Sequence, residues 1–207
     1  MRLVSSDFDH LARLQPRFAF GAPDPVTHVR LSDNLNPALA WSELPPAARS
    51  LVLLCVDPDV PTRPDDVNRE GRTVATDLAR TRFYHWVMVD IAPVAGSMAT
   101  GACSTGVTPR GKRTPSGPAG SRQGINDYTH WFAGDPQMSG EYFGYDGPCP
   151  PWNDERLHHY HFILYAIDLD RYPVTGAFAG SQVEAAIAGH VLAEARLTGT
   201  YSLNPRC

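Results

Sequence analysis

The chain has no long uninterrupted apolar run. Nothing approaches the about eighteen residues that a membrane-spanning helix needs, so stable membrane insertion is not expected. The opening "MRLVSSDFDHLARLQ" lacks an apolar core followed by a small-residue cleavage site, so no secretion signal is read. Cysteine is scarce: the four present, Cys55, Cys103, Cys149 and Cys207, show neither CxxC spacing nor a disulfide framework. Reduced thiols in a cytoplasmic protein are the simplest expectation. Positive charge does not dominate either. A formal net charge of −4 gives no basic field to attract nucleic acid. These absences leave a soluble, intracellular protein, and 207 residues with 43% hydrophobic content are expected to form one domain over 1–207 with a full core.

Turn formers, in contrast, are plentiful. The 19 prolines and 17 glycines argue against a helical bundle and for short strands joined by many turns. The clearest strand is "LVLLCV" (Leu51–Val56), whose continuous apolar run fits burial on both faces. "FYHWVMVDI" (Phe83–Ile91) is dense in aromatic and β-branched residues, and "HHYHFILYAID" (His158–Asp168) reads the same way. In "AEARLTGTYS" (193–202), apolar and polar residues alternate as in a half-buried strand. One convincing helix appears in "SQVEAAIAGHVLAEA", with Ser181 as N-cap, Glu184 three residues on, and Val183, Ile187 and Val191 on one side. The fold class is therefore mainly β, a sandwich with one or two short helices near the C-terminus. Two segments are poor in regular structure: a charged one at 61–82, and one at 106–124 that carries Arg110, Lys112, Arg113 and Arg122 without an acid. The second would either attract an anionic ligand or form a solvated loop.

Several polar residues sit where chemistry could gather. Side chains at i and i+2 of a strand share a face, so Asp57 and Asp59 in "DPD" would project together if extension persists through Pro58. Two such carboxylates can share a proton; the alternative is an ordinary Asp-Pro turn. His85 shares a face with Phe83 and Val87, and a polar ring there must find a partner. His158 and Tyr160 point the same way as Phe162 and Leu164, while His159 and His161 take the opposite, surface side. Upstream, "GYDGPCPPWND" specifies a stiff turn whose backbone is open to close approach.

Together, "DPDVP", "YHWVMVDI" and "GYDGPCPPWNDERLHHYHFILYAID", in that order, resemble the phosphatidylethanolamine-binding proteins, and most closely their bacterial Raf-kinase-inhibitor-like branch. "NLNPALAWSELP" (34–45), "RQGINDYTHWF" (122–132) and "AEARLTGTYSLNP" are similar to that branch too, so the resemblance covers most of the chain. It implies a β-sandwich in which Asp57, Asp59, His85, His158 and Tyr160 line one small pocket, with Tyr145, Gly147 and Pro150 completing its rim. It implies a phosphate-like or phospholipid-headgroup ligand, no cofactor or metal, and a regulatory role through an unnamed protein partner. Two departures stand out. The chain has His158-His159-Tyr160 where the family usually has His-Arg-Tyr, and its two long segments exceed those of compact members.

Other chemistries use the same residues. Two carboxylates with two histidines could act as general acid and base in a hydrolase of a small phosphate ester or amide, but no nucleophile stands in a GxSxG-like context. Asp/Asp/His/His could also hold zinc, without an HExxH-type signature. An exposed edge strand or apolar patch would support a homodimer. For the binding role, anion affinity is expected to be higher near pH 6 than near pH 8. Alanine at Asp57 or His158 is expected to remove binding at little cost in stability.

Overall fold

The computed structural model describes residues 1–207. Twelve strands follow in chain order: β1 (Arg2–Val4), β2 (Gly21–Asp24), β3 (His28–Leu31), β4 (Leu39–Ser42), β5 (Ser50–Pro61), β6 (Arg80–Ile91), β7 (Gly96–Met98), β8 (Gly111–Lys112), β9 (Arg122–Gln123), β10 (Glu141–Tyr142), β11 (His158–Ile167) and β12 (Val191–Tyr201). The helices are α1 (Tyr128–Trp131) and α2 (Gly180–Ile187), so one of the two lies mid-chain.

The centre is an antiparallel sheet ordered β12-β11-β5-β6-β9. Its strands are apolar on both faces because both are covered. One face packs Leu53, Cys55, Phe162 and Leu164 against Leu39, Trp41 and Met98 of the three-stranded sheet β1-β4-β7. The other packs Val52, Leu54, Val87 and Ile163 beneath Val183 and Ile187 of α2 and Phe178. Each such side chain contributes about 1.5–3 kcal/mol by leaving water. The architecture is mainly β, as its composition predicts.

The helix is shorter than its pattern. Val183 and Ile187 are buried on one side, but Ser181 lies inside the first turn, and the cap is made by Gln182 Oε1 accepting from the Ala179 N–H at 2.9 Å. Gly189, at φ +85°, reverses the chain just beyond Ile187. Val191 therefore opens β12 instead of continuing the helix.

The two long segments are more ordered than their composition implied. β5 and β6 extend as a protruding hairpin to Pro61 and from Arg80, which leaves 62–79 as the connection. Within 106–124, Lys112 and Arg122 do not form a free positive surface. Lys112 Nζ donates to Ser104 Oγ at 3.0 Å and to the Tyr145 carbonyl, 3.4 Å from Asp146 Oδ1. Arg122 Nε pairs with Asp90 Oδ2 at 2.5 Å.

Candidate functional site

Two β-bulges in the β5–β6 hairpin aim the polar side chains. On β6, Trp86 pairs with Cys55 but Tyr84 pairs with Val56, so the register slips by one residue around His85. The slip places His85 and Trp86 on the same side of the sheet, while Tyr84 and Val87 both turn to the α2 core. His85 thus lies beside Phe83, ring centroids 4.7 Å apart, and not with Val87 as strict alternation requires. On β5 the register shifts again between Asp57 and Val60. Asp57 and Val60 face a cavity, and Asp59 turns away.

That cavity has a volume of about 680 Å³. Asp57, His85, His158, Tyr160 and Pro150 line it. Apolar walls come from Phe20, Phe83, Tyr128, Phe132 and Met138, with Trp131 and Leu31 half-exposed at the mouth. No lysine or arginine lines it. Of the other residues read as pocket-forming, Asp59, Tyr145 and Gly147 lie outside the lining. Asp59 accepts from the His159 N–H at 3.0 Å, from His159 Nδ1 at 2.9 Å and from Arg156 Nη1 at 3.2 Å. Burial disfavours its charge, yet these donors hold its carboxyl below the usual range. The two aspartates therefore do not form a proton-sharing pair. Tyr145 is buried behind the site, its Oη donating to the Phe18 carbonyl at 2.6 Å. Gly147 donates its N–H to Asn34 Oδ1 at 2.8 Å, and a Cβ there would collide with the Phe18 carbonyl oxygen, so only glycine fits.

Charge on the floor is set by what meets each ring. Nδ1 of His158 meets Asp57 Oδ2 at 2.7 Å, and Nε2 meets Asp154 Oδ2 at 3.1 Å. Burial opposes the imidazolium, but the two carboxylates outweigh it and raise the His158 pKa to about 9. His85 is the converse case. Its Nδ1–H donates to the Asp146 carbonyl at 2.8 Å, which leaves Nε2 as a free acceptor on the cavity side. Burial is the dominant influence, stronger than the nearby Asp57, and lowers its pKa to about 4. Tyr160 Oη is buried and has no hydrogen-bond partner of good geometry; burial and the adjacent Asp57 keep its proton on. Cys149 also lines the cavity, and burial pushes its thiol up to about 12.

Behind His85, Asp146 is fully buried. Asn34 Nδ2 and Asn126 Nδ2 donate to its two oxygens at 2.7 and 2.8 Å, which fixes the turn that carries the carbonyl on His85. No periodicity reveals Asn34, Asn126 or Asp146, because all three sit in irregular backbone. Asp154 went unread for the same reason, although "ND" immediately after a stiff proline turn was its one local signal.

This arrangement can hold a head group that donates and accepts hydrogen bonds, at the end of an apolar cavity. Comparison with known proteins identifies the family. The family model "Phosphatidylethanolamine-binding protein" matches residues 4–202. A UPF0098 protein of Methanothermobacter thermautotrophicus is 36% identical over 82% of this chain and 83% of its own length. Among solved structures, Escherichia coli YbcL, a member of the mammalian PEBP family, shares the fold with TM-score 0.69 at 24% identity, over 97% of both chains. The Chlamydia trachomatis PEBP homologue CT736 superposes with TM-score 0.63 at 26% identity, over 97% of this chain and 96% of its own. With a match from residue 4 to residue 202 and a fold shared end to end, the chain belongs to the phosphatidylethanolamine-binding protein family.

Proposed function

We propose that the cavity binds a small ligand whose head group both donates and accepts hydrogen bonds: a singly protonated phosphate monoester, a phosphoethanolamine-type zwitterion or a carboxylic acid. The rest of the ligand would lie along the apolar walls. The observation that carries this is His85 Nε2, an acceptor facing the cavity with no protein partner, its tautomer fixed by the Asp146 carbonyl. Tyr160 Oη supplies a donor beside it, and the second lone pairs of Asp57 supply acceptors. Buried polar groups of this kind are normally satisfied, so a ligand that answers them gains those hydrogen bonds. A phosphate dianion fits poorly, because no lysine or arginine lines the cavity.

The test is calorimetric titration with inorganic phosphate and O-phosphoethanolamine. Neither floor histidine changes charge between pH 6 and 8, since one titrates at about 4 and the other at about 9. A phosphate monoester, however, loses its second proton near pH 6, and inorganic phosphate about one unit higher, both within this window. Affinity is therefore expected to be tighter at pH 6 than at pH 8 by on the order of tenfold, with the ligand's proton as the cause. The difference should persist in His130→Gln, which removes the histidine at the cavity wall. Equal affinity at both pH values, or a difference that vanishes in His130→Gln, sinks the assignment.

Binding is favoured over hydrolysis by Cys149. A thiol held protonated to about pH 12 is a poor nucleophile, and both nitrogens of His158 are already engaged by carboxylates.

A further inference from the structure

The floor of the cavity and one of its walls meet at the segment 152–156. Asp154 is buried and serves both. Its Oδ2 meets His158 Nε2 at 3.1 Å, and both oxygens accept from Arg80, at 2.5 Å from Nη1 and 3.1 Å from Nη2. Arg80 is itself buried and also donates to the carbonyls of Asp59 at 2.8 Å and Ala75 at 2.7 Å, so it anchors both ends of the hairpin connection. Asn153, buried beside it, holds the middle. Its Nδ2 reaches the carbonyls of Asp66 at 2.8 Å and Arg72 at 3.0 Å, and its Oδ1 accepts the Asn68 N–H at 2.9 Å. The backbone adds a bridge, with the Val74 N–H donating to the Asn153 carbonyl and the Glu155 N–H donating to the Val74 carbonyl, each at 3.1 Å. Pro61, Thr62, Pro64, Val67 and Asn68, which this clasp secures, form one wall of the cavity.

We infer that Asp154 and Asn153 are positioning residues for the proposed ligand site: Asp154 steadies the His158 ring from outside the cavity and ties it through Arg80 to the 62–79 wall, which Asn153 holds at a fixed distance. The inference rests on that ligand site and adds a division of labour. Asp154 tunes how the floor meets the head group. Asn153 sets how much room the ligand's apolar body has. Without Asn153 the connection loses three part-buried hydrogen bonds, and the wall has a low cost of opening.

The experiment uses two variants and two probes, inorganic phosphate and n-hexyl phosphate. In Asp154→Asn, which preserves shape, the His158 ring followed by NMR should titrate at a lower pH than in the wild type. In Asn153→Ala, which leaves Asp154 intact, trypsin should cut faster after Arg69 and Arg72. Hexyl phosphate affinity should fall about tenfold while inorganic phosphate changes less than about twofold, because only the body has lost its wall. An unchanged His158 titration in Asp154→Asn overturns the floor half. Equal losses for both probes, or unchanged cleavage, in Asn153→Ala overturn the wall half. If the wild type binds neither probe, the proposed function fails by itself, and the coupling is then judged by the titration and the cleavage rate alone.

Discussion

Asp57 and Asp59 lie two residues apart on one strand, and each accepts a hydrogen bond from a histidine of β11, yet they belong to different regions. Asp57 is sealed against His158, whose ring has a second carboxylate behind it. Asp59 faces His159 and Arg156, whose side chains are 39% and 37% exposed, so water screens the cluster. The bulge between Asp57 and Val60 separates the two environments. The same residue types thus give a fixed internal ion array on one side and an ordinary surface cluster on the other. The effect of removing a group should depend on the side it serves.

The largest effect is expected from His158→Ala. The imidazolium separates two buried carboxylates, and removing it leaves Asp57 without a cationic partner and Asp154 with Arg80 alone. Breaking a buried pair costs about 3–5 kcal/mol, so the variant should show a strongly lowered denaturation midpoint as well as lost ligand binding. This reverses the expectation, drawn from residue types alone, that such a substitution is nearly neutral to stability. A denaturant midpoint within error of wild type would show that the array carries no net stabilisation.

Next in size is the pH dependence of stability. His158 titrates at about 9 when folded and near its ordinary 6.5 when unfolded, so its contribution is complete below pH 6.5 and is lost as pH rises through 9. That limb is worth about 3 kcal/mol. His85, lowered to about 4, works in the opposite sense: the unfolded chain gains its proton first, so stability falls as pH drops from 6.5 towards 4. Urea midpoints should therefore pass through a maximum near pH 6.5. A profile that rises steadily to pH 9 would refute the charged, doubly held His158.

The four long strands were legible because burial on two faces leaves continuous apolar runs, and because β12 alternates cleanly beyond Ala193. The short strands of the second sheet, such as Leu39–Ser42 and Gly96–Met98, carry too few residues to show a period. The helix was overextended because "AAIAGHVLAEA" suits either structure, and pairing of β12 with β11 decides it. For the site, alternation placed His158 and Tyr160 correctly relative to Phe162 and Leu164. It failed at Asp59 and at the pairing of His85 with Val87. Both failures lie at bulges, where one extra residue inverts the count and composition gives no mark. The partners of the site, Asp146 and Asp154, come from turns whose contacts are set by distant chain.

The smallest effect, and the one that sharpens the contrast most, belongs to Asp59→Asn. The amide oxygen can still accept from the His159 N–H, and Arg156 retains its bond to the Thr76 carbonyl at 2.7 Å. What is lost is charge attraction across a partly solvated cluster, which is worth about 1 kcal/mol or less. Phosphate affinity should change by less than about twofold, because Asp59 does not line the cavity. Calorimetry and urea denaturation on Asp59→Asn beside Asp57→Asn would measure the same chemical change on the two sides of one bulge. If the two variants lose binding equally, the bulge does not insulate the regions, and the floor must include the surface cluster.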